Sequence, residues 1–117
     1  MEAGLTVHCA VRSPDNAEKV QHLVDAAKGT KGELKFFKAD LLDEGSYEEA
    51  MKGCSVVFHT ASHFIATVDP AKVDEKLFDP AIKGTKNVLT SVSKVSSVKR
   101  VVLISSIYAT MTDAADC

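Results

Sequence analysis

The chain alternates strand-forming and helix-forming segments along its length, and this alternation constrains the fold more than any other feature. The helix-like segments carry apolar residues at helical spacing with charged residues on the opposite face. Strands joined through helices pair in parallel, because each return to the same end of a sheet needs a crossover. The sequence predicts an α/β fold with helices on both faces and strands at Leu5–Val11, Leu34–Ala39, Ser55–Thr60 and Arg100–Ile104.

Capping signals predict the helix boundaries. Ser13 before Pro14 is typical of an N-cap followed by the first helical residue, and Gly29 and Gly32 follow that helix. The spacing of Ser46 and Glu49 predicts a capping box for a short second helix, which Gly53 ends.

Asp79 and Pro80 predict the start of a third helix, with a boundary or kink after residues 73–78, since proline fits only the first helical turn. Its apolar stripe is predicted to contain Ile82, Thr85, Val88, Leu89 and Val92. The third strand, at residues 55–60, is continuously apolar at its centre, which is typical of a parallel strand covered on both faces.

Length and charge exclude several classes of protein. The 117 residues suit one domain, and 45% of them are hydrophobic, enough for a core. The net charge of −2 gives no basic face for nucleic acid. No apolar run approaches the ~18 residues of a membrane span, and no signal-peptide pattern follows Met1. We expect no nucleic-acid or membrane partner, and the sequence leaves the oligomeric state open.

The cysteines and histidines predict no metal site. Cys9, Cys54 and Cys117 are an odd number at wide spacing and form no ligand cluster. His59 and His63 lie four residues apart in a loop-like segment rather than on a helix. Cys9 and Cys54 adjoin apolar runs, where free cysteine packs as a small hydrophobe. This usage indicates a reducing compartment, and we expect a cytoplasmic protein.

Ligands of open α/β sheets bind beyond the carboxyl ends of the strands, where this chain places several polar residues. Arg12 follows the first strand-like run, and its planar guanidinium suits the 2′-phosphate of NADP. A solvated arginine at a strand end is the alternative. Lys19 could add a second positive charge, or be a solvated helix lysine.

The other strand ends leave similar alternatives. Asp40 could meet an adenine amino group or form a turn. His59 could be a base or a packed core histidine. The segment Thr60-Ala61-Ser62 could offer backbone groups to a ribose or turn the chain. Ser105 and Ser106 could include a hydroxyl for a substrate oxygen, or mark where a buried strand meets water.

Together these motifs resemble the extended short-chain dehydrogenases (the NAD-dependent epimerase/dehydratase superfamily), and most of all the cinnamoyl-CoA reductase and dihydroflavonol reductase group. The resemblance runs from Gly4 to Tyr108. It rests on VRSPDN (residues 11–16), KADLLDEGSY (38–47), VFH (57–59), PAIKGT (80–85), NVL (87–89), KRVV (99–102) and the serine pair at 105–106.

The resemblance implies a Rossmann-like doubly wound sheet and a set of roles by position. The implied reaction is hydride transfer from NADPH to a small-molecule aldehyde or ketone, with Ser106 holding the substrate carbonyl. The implied cofactor-binding residues are Arg12 and Lys19 at the 2′-phosphate, Asp40 and Leu41 at the adenine, and Thr60, Ala61 and Ser62 on the ribose and nicotinamide side.

Two family motifs have no match in the chain. A glycine-rich turn at the pyrophosphate is absent, and Tyr108 is followed four residues later by Thr112 rather than lysine. We therefore interpret residues 1–117 as a partial NAD(P)-binding domain, lacking the first strand of the family and the C-terminal substrate-binding part. In the order 3-2-1-4-5 that strand is central, so its neighbours must pair with each other or expose apolar edges. We expect such a fragment to be marginally stable and inactive.

Two other functions compete with a reductase fragment. One is a non-catalytic dinucleotide-binding or scaffold protein of the same fold. The other is a flavodoxin-like or receiver-like module, which is the weakest hypothesis. Receivers need an acidic cluster at the strand ends, whereas this chain has Arg12 and Ser106 there.

Overall fold

The strands and helices follow the predicted order in the computed structural model, which describes residues 1–63 and 69–106. A 3₁₀ turn at Pro70–Lys72 and a π-helical turn at Asp74–Phe78 precede the last helix. The regular elements are β1 (Val7–Val11), α1 (Ala17–Ala27), β2 (Leu34–Lys38), α2 (Glu48–Met51), β3 (Val56–His59), α3 (Asp79–Lys94) and β4 (Arg100–Leu103). The α/β prediction is confirmed, with each strand one to two residues shorter than expected.

The strands pair in parallel, but as two separate two-stranded sheets. β1 pairs with β2 from Val7 opposite Leu34, and β3 pairs with β4 from Val56 opposite Arg100. Among the described residues β1 and β3 are not paired with each other. The sequence predicts that these two strands either pair with each other or expose apolar edges, and in the described chain each keeps an unpaired edge.

Backbone geometry identifies the groups on the unpaired edge of β3. The carbonyls of Ser55 and His59 accept from the residues on either side of β4, since Lys99 N donates to the first (2.8 Å) and Ile104 N to the second (3.1 Å). Because successive residues of a strand point their backbone groups to opposite sides, those of Val56 and Phe58 point away from β4.

Only one face of β3 is covered. Phe58 is 67% exposed and Val56 is 42% exposed, whereas His59 on the opposite face is buried. The prediction of cover on both faces is therefore wrong for the described chain. A continuously apolar run does not specify which of its faces finds a partner.

The small core lies around α2. This helix contacts β1, β2 and α3, and it buries Ala50 and Met51. Val88 of α3 is also buried, and His8 Nδ1 of β1 donates to the Ala50 carbonyl (2.7 Å). The core therefore lies between the β1–β2 sheet and the helices α2 and α3.

The N-cap predictions are both corrected. Asn16, not Ser13, caps α1: its Oδ1 accepts from Lys19 N (3.3 Å), and the chain turns first through a bond from Asn16 N to the Ser13 carbonyl (3.1 Å). Ser46 forms no capping box, because its hydroxyl bonds to the backbone of Asp40 instead. The predicted helix ends agree better, since Gly29 and Gly53 follow α1 and α2 with φ of 76°, in the left-handed region that favours glycine.

The buried face of α3 also differs from the predicted stripe. Pro80 lies in the first turn, and the boundary predicted there is confirmed, although residues 74–78 form a π-helical turn. Ile82 and Leu89 are exposed. The buried residues of α3 are Gly84, Asn87, Val88 and Ser91, so the buried face carries mostly small and polar side chains.

Within the described ranges, no helix has the length and apolar character needed to cross a bilayer.

Candidate functional site

With the exception of Lys19, which lies on α1, the predicted site residues lie at the carboxyl ends of the four strands. Ala39 N donates to the Val11 carbonyl (3.0 Å), which brings the end of β2 beside Arg12. The bond from Ile104 N to the His59 carbonyl brings the end of β4 beside Thr60 in the same way. Parallel pairing thus places each predicted segment at the sheet edge where ligands of α/β proteins bind.

The positive charge of Arg12, at the carboxyl end of β1, forms no ion pair among the described residues. Its side chain is exposed, and the ion pairs found within residues 1–63 and 69–106 all involve lysines. A guanidinium without a carboxylate partner can accept a ligand phosphate in bidentate geometry.

Tyr47 lies close to both Arg12 and Asp40, and sequence analysis missed it. Burial and the Asp40 carboxylate raise the pKa of the Tyr47 hydroxyl, and the Arg12 guanidinium opposes that rise. Tyr47 is half-buried directly before α2. An aromatic residue at the end of the loop after β2 was the available sequence signal.

Asp40 forms a turn and also faces solvent. Its Oδ1 accepts from Leu42 N (2.9 Å), as the turn interpretation requires. Ser46 Oγ donates to the Asp40 carbonyl (2.8 Å) and accepts from Asp40 N (3.1 Å). The exposed carboxylate keeps a second oxygen that can accept a hydrogen bond from a ligand.

A cavity of about 190 Å³ lies between the ends of β3 and β4 and the start of α3. It brings together three predicted cofactor-binding residues, Leu41, Ala61 and Ser62, and it also contacts Ser105. His59 and Thr85 form part of its wall. Leu41 in the wall of this cavity directly follows Asp40 in the chain, so the cavity lies next to the region of Arg12 and Asp40.

His59 is a packed histidine, as one of its two interpretations predicted. It is 5% exposed, and burial lowers the pKa of its imidazole. The ring is therefore neutral at pH 7, and its nitrogens can act as one donor and one acceptor toward the cavity.

Five predicted residues lie outside the cavity wall, and two of them are Arg12 and Asp40 at the ends of β1 and β2. Thr60 and Ser106 are exposed next to residues that form the wall, and Lys19 is exposed in the first turn of α1. Among the described residues Lys19, like Arg12, forms no ion pair. Tyr108 and Cys117 lie outside the described residues.

A second, larger cavity of about 350 Å³ lies at the amino ends of β3 and β4. Its wall includes Glu48 and Lys94, which form an ion pair with 2.8 Å between Oε1 and Nζ. It contains none of the predicted site residues. The smaller cavity is the stronger candidate, because ligands of α/β sheets bind at the carboxyl ends.

Two residues of α3 position the loop after β2, and sequence analysis missed both. Asn87 is 7% exposed, and its amide bonds to the backbone of Leu41, Asp43 and Gly45. Gly84 lies one turn earlier, against the Leu41 side chain. An asparagine and a glycine inside an apolar helix pattern were the available signals.

The two described cysteines are half-buried free thiols. Burial raises the pKa of both Cys9 and Cys54, so the thiols are protonated at neutral pH. Cys54 Sγ lies 3.3 Å from His8 Nδ1 and donates to the Ala50 carbonyl. These thiols pack rather than react, as predicted. The described part of the chain brings no three His, Cys, Asp or Glu side chains together as a metal site.

Residues 6–115 match the model of the 3-beta hydroxysteroid dehydrogenase/isomerase family. Curated relatives are reductases. Cinnamoyl-CoA reductase CAD2 of Medicago truncatula is 49% identical over 109 residues, which cover 93% of this chain and 32% of the relative.

Other relatives are matched over similar shares of this chain and of their own length. An anthocyanidin reductase of Vitis vinifera is 44% identical, covering 91% of this chain and 30% of the relative. Tetraketide alpha-pyrone reductase 1 of Arabidopsis thaliana is 47% identical, covering 88% and 31%. The solved structure of an SsCR variant superposes with a TM-score of 0.65 at 30% identity, over 89% of this chain and 30% of that one. The chain thus spans about a third of the length of these relatives.

Proposed function

The chain belongs to the 3-beta hydroxysteroid dehydrogenase/isomerase family, and from that premise we propose that it is part of an NADP-dependent oxidoreductase that reduces a small-molecule carbonyl. One observation carries the cofactor preference. The guanidinium of Arg12 is exposed at the end of β1 with no ion pair to any described carboxylate, beside Asp40 at the end of β2. A 2′-phosphate would give this guanidinium the ion-pair partner that it lacks among the described residues.

The residues at the strand ends, together with Lys19, fit the successive parts of a dinucleotide. Arg12, with Lys19, binds the 2′-phosphate. Asp40 and Leu41 contact the adenine, because they follow β2 directly beside Arg12. Thr60, Ala61 and Ser62 lie toward the ribose and nicotinamide, at the end of β3. When bound, the cofactor supplies a hydride that reduces the carbonyl carbon to the alcohol.

Ser106 acts on the substrate in this proposal. It is exposed just after β4, next to Ser105 in the cavity wall. Its hydroxyl donates a hydrogen bond to the carbonyl oxygen, which polarises the carbonyl and stabilises the negative charge that develops there. The chain supplies no Tyr-x-x-x-Lys pair for the proton, so we propose that residues 1–117 alone do not turn over substrate.

Arg12→Ala tests the cofactor assignment by titration of NADPH and NADH into the chain. We expect NADPH affinity to fall about 10- to 100-fold, since charge-assisted hydrogen bonds contribute about 1.5–3 kcal/mol. NADH affinity should change less than about twofold. Arg100→Ala is the matched control, because Arg100 lies at the amino end of β4. Equal losses for both cofactors would refute the 2′-phosphate contact.

Turnover separates this proposal from a non-catalytic dinucleotide-binding protein. Purified residues 1–117 should bind NADPH without oxidising it in the presence of cinnamaldehyde or a ketone, and observed oxidation would refute the proposed inactivity. A longer protein containing this chain should oxidise NADPH with a carbonyl substrate. Binding without oxidation there would favour the non-catalytic alternative.

We also propose a cytoplasmic location, because Cys9 and Cys54 are free thiols.

A further inference from the structure

The loop that carries Asp40 and Leu41 is attached to α3 through the side chain of Asn87. Asn87 Nδ2 donates to the carbonyls of Asp43 (2.8 Å) and Leu41 (3.1 Å), and its Oδ1 accepts from Gly45 N (3.0 Å). Both amide hydrogens and the carbonyl oxygen are therefore used. The bonded residues lie 42 to 46 positions away in the chain.

The loop's own bonds do not fix it to the rest of the molecule. Asp43 N donates to the Asp40 carbonyl (3.1 Å), and Ser46 N donates to the Asp43 carbonyl (3.2 Å). Together with the Asp40–Ser46 pair, these bonds shape consecutive turns within the loop. They leave the distance between the loop and α3 undetermined.

Asn87 and Gly84 determine that distance together. They lie three residues apart on the same buried face of α3. The missing side chain of Gly84 lets Leu41 pack directly on the helix, while Asn87 bonds to the Leu41 carbonyl. Leu41 is thereby brought to the wall of the 190 Å³ cavity that also contains Ala61 and Ser62.

We propose that Asn87 is a positioning residue for the adenine end of the cofactor site. It lies behind the loop rather than in the cavity wall, and it acts by fixing Asp40 and Leu41 relative to the end of β3. Its positioning of the loop stands on the hydrogen bonds alone, whereas its effect on adenine rests on the proposed function. Removing the amide should therefore weaken binding of an adenine nucleotide without displacing β1 and β2.

The test compares Asn87→Leu and Asn87→Asp with Lys86→Ala in the 117-residue chain. Leucine has a similar size without hydrogen-bonding groups, and aspartate lacks the two donor hydrogens. Lys86 is the adjacent, exposed residue of α3. The probe is 2′,5′-ADP, which carries the adenine and the 2′-phosphate without the nicotinamide. Hydrogen exchange at Gly45 N–H and at the amides of β1 and β2 is measured in parallel.

We expect the Kd for 2′,5′-ADP to rise about 10- to 100-fold in both Asn87 variants and to change less than about twofold in Lys86→Ala, since several hydrogen bonds are lost. In Asn87→Leu, which removes the acceptor for Gly45 N, the Gly45 N–H should exchange at least about tenfold faster, while the amides of β1 and β2 stay protected. Asn87→Asp keeps that acceptor and removes only the two bonds donated to Leu41 and Asp43. Unchanged affinity in the Asn87 variants would overturn the proposal. So would equal loss of protection in the loop and both strands, because that result indicates a purely structural role.

Failure of the proposed function gives a different result. If the unmodified chain does not bind 2′,5′-ADP, the cofactor assignment and the adenine effect are both overturned. Gly45 exchange then still decides whether Asn87 positions the loop, since that measurement needs no ligand.

Discussion

Gly84 of α3 lies directly against the side chain of Leu41, so that a Cβ atom at residue 84 would stand 2.6 Å from Leu41 Cδ2. Non-bonded carbon atoms do not come that close, so one of the two side chains would have to shift. The contact joins a helix interior, where glycine is unfavourable, to the loop after β2 that carries the candidate adenine site. Glycine at this position therefore reflects tertiary packing rather than helix formation.

Gly84→Ala should destabilise the chain by about 1 kcal/mol. Alanine favours a helix by ~1 kcal/mol over glycine, but overpacking against Leu41 costs about 1–3 kcal/mol. Urea denaturation measures the difference. Combining Gly84→Ala with Leu41→Ala should recover part of the loss relative to the sum of the single variants. Thr90→Ala, an exposed change on the same helix, is the control. A more stable Gly84→Ala variant would contradict the close contact.

Asn16→Ala should cost about 1 kcal/mol in the free energy of unfolding, whereas Ser13→Ala should cost less than about 0.5 kcal/mol. The reason is that Asn16 Oδ1, not the Ser13 hydroxyl, accepts from Lys19 N at the start of α1. Denaturant unfolding of the two variants measures both values. The reverse order would reinstate Ser13 as the N-cap.

His59 should make the chain less stable as the pH falls below about 6.5. Burial lowers the pKa of His59 from its ordinary value of 6.5, so the unfolded state binds the proton more readily than the folded state. The stability from neutral His59 is therefore present above pH 6.5 and is lost as the pH falls toward the lowered pKa. Thermal unfolding between pH 5 and about 7.5 measures it.

His59→Gln should flatten this pH dependence, because glutamine does not titrate. His22→Gln is the control, since His22 is exposed on α1. If His59→Gln and the unmodified chain show the same slope of stability against pH, a buried neutral His59 is ruled out as its source.

Phe58→Lys should reduce self-association of the 117-residue chain. Phe58 is 67% exposed on β3, whose edge away from β4 is unpaired in the described chain, and exposed apolar strand edges promote pairing between molecules. Sedimentation velocity over a concentration series measures the average mass, and the stability change should stay within about 0.5 kcal/mol.

Phe78→Lys is the matched control for that change. Phe78 is also exposed, but it lies in the π-helical turn before α3 rather than on a strand. A similar drop in average mass for both variants would show that general hydrophobicity, and not the edge of β3, drives association.

Helix boundaries illustrate the limit of local sequence patterns. Pro80 marked the start of α3 correctly, because a proline constrains its own backbone whatever surrounds it. The spacing around Ser13 and Ser46 predicts a cap at each, but Asn16 caps α1 and Ser46 bonds to Asp40. A hydroxyl has several possible backbone partners within reach, and the folded chain decides among them.

The sequence by itself determined the α/β class, the parallel pairing and the row of polar residues at the strand ends. These follow from periodicity and chain order, which act over a few residues or through the geometry of crossovers. Only the tertiary structure decided that Asn87 and Gly84 attach the loop after β2, that His59 is neutral, and that Phe58 is exposed. Each of these depends on contacts between distant segments, or on their absence among the described residues, and no local spacing encodes them.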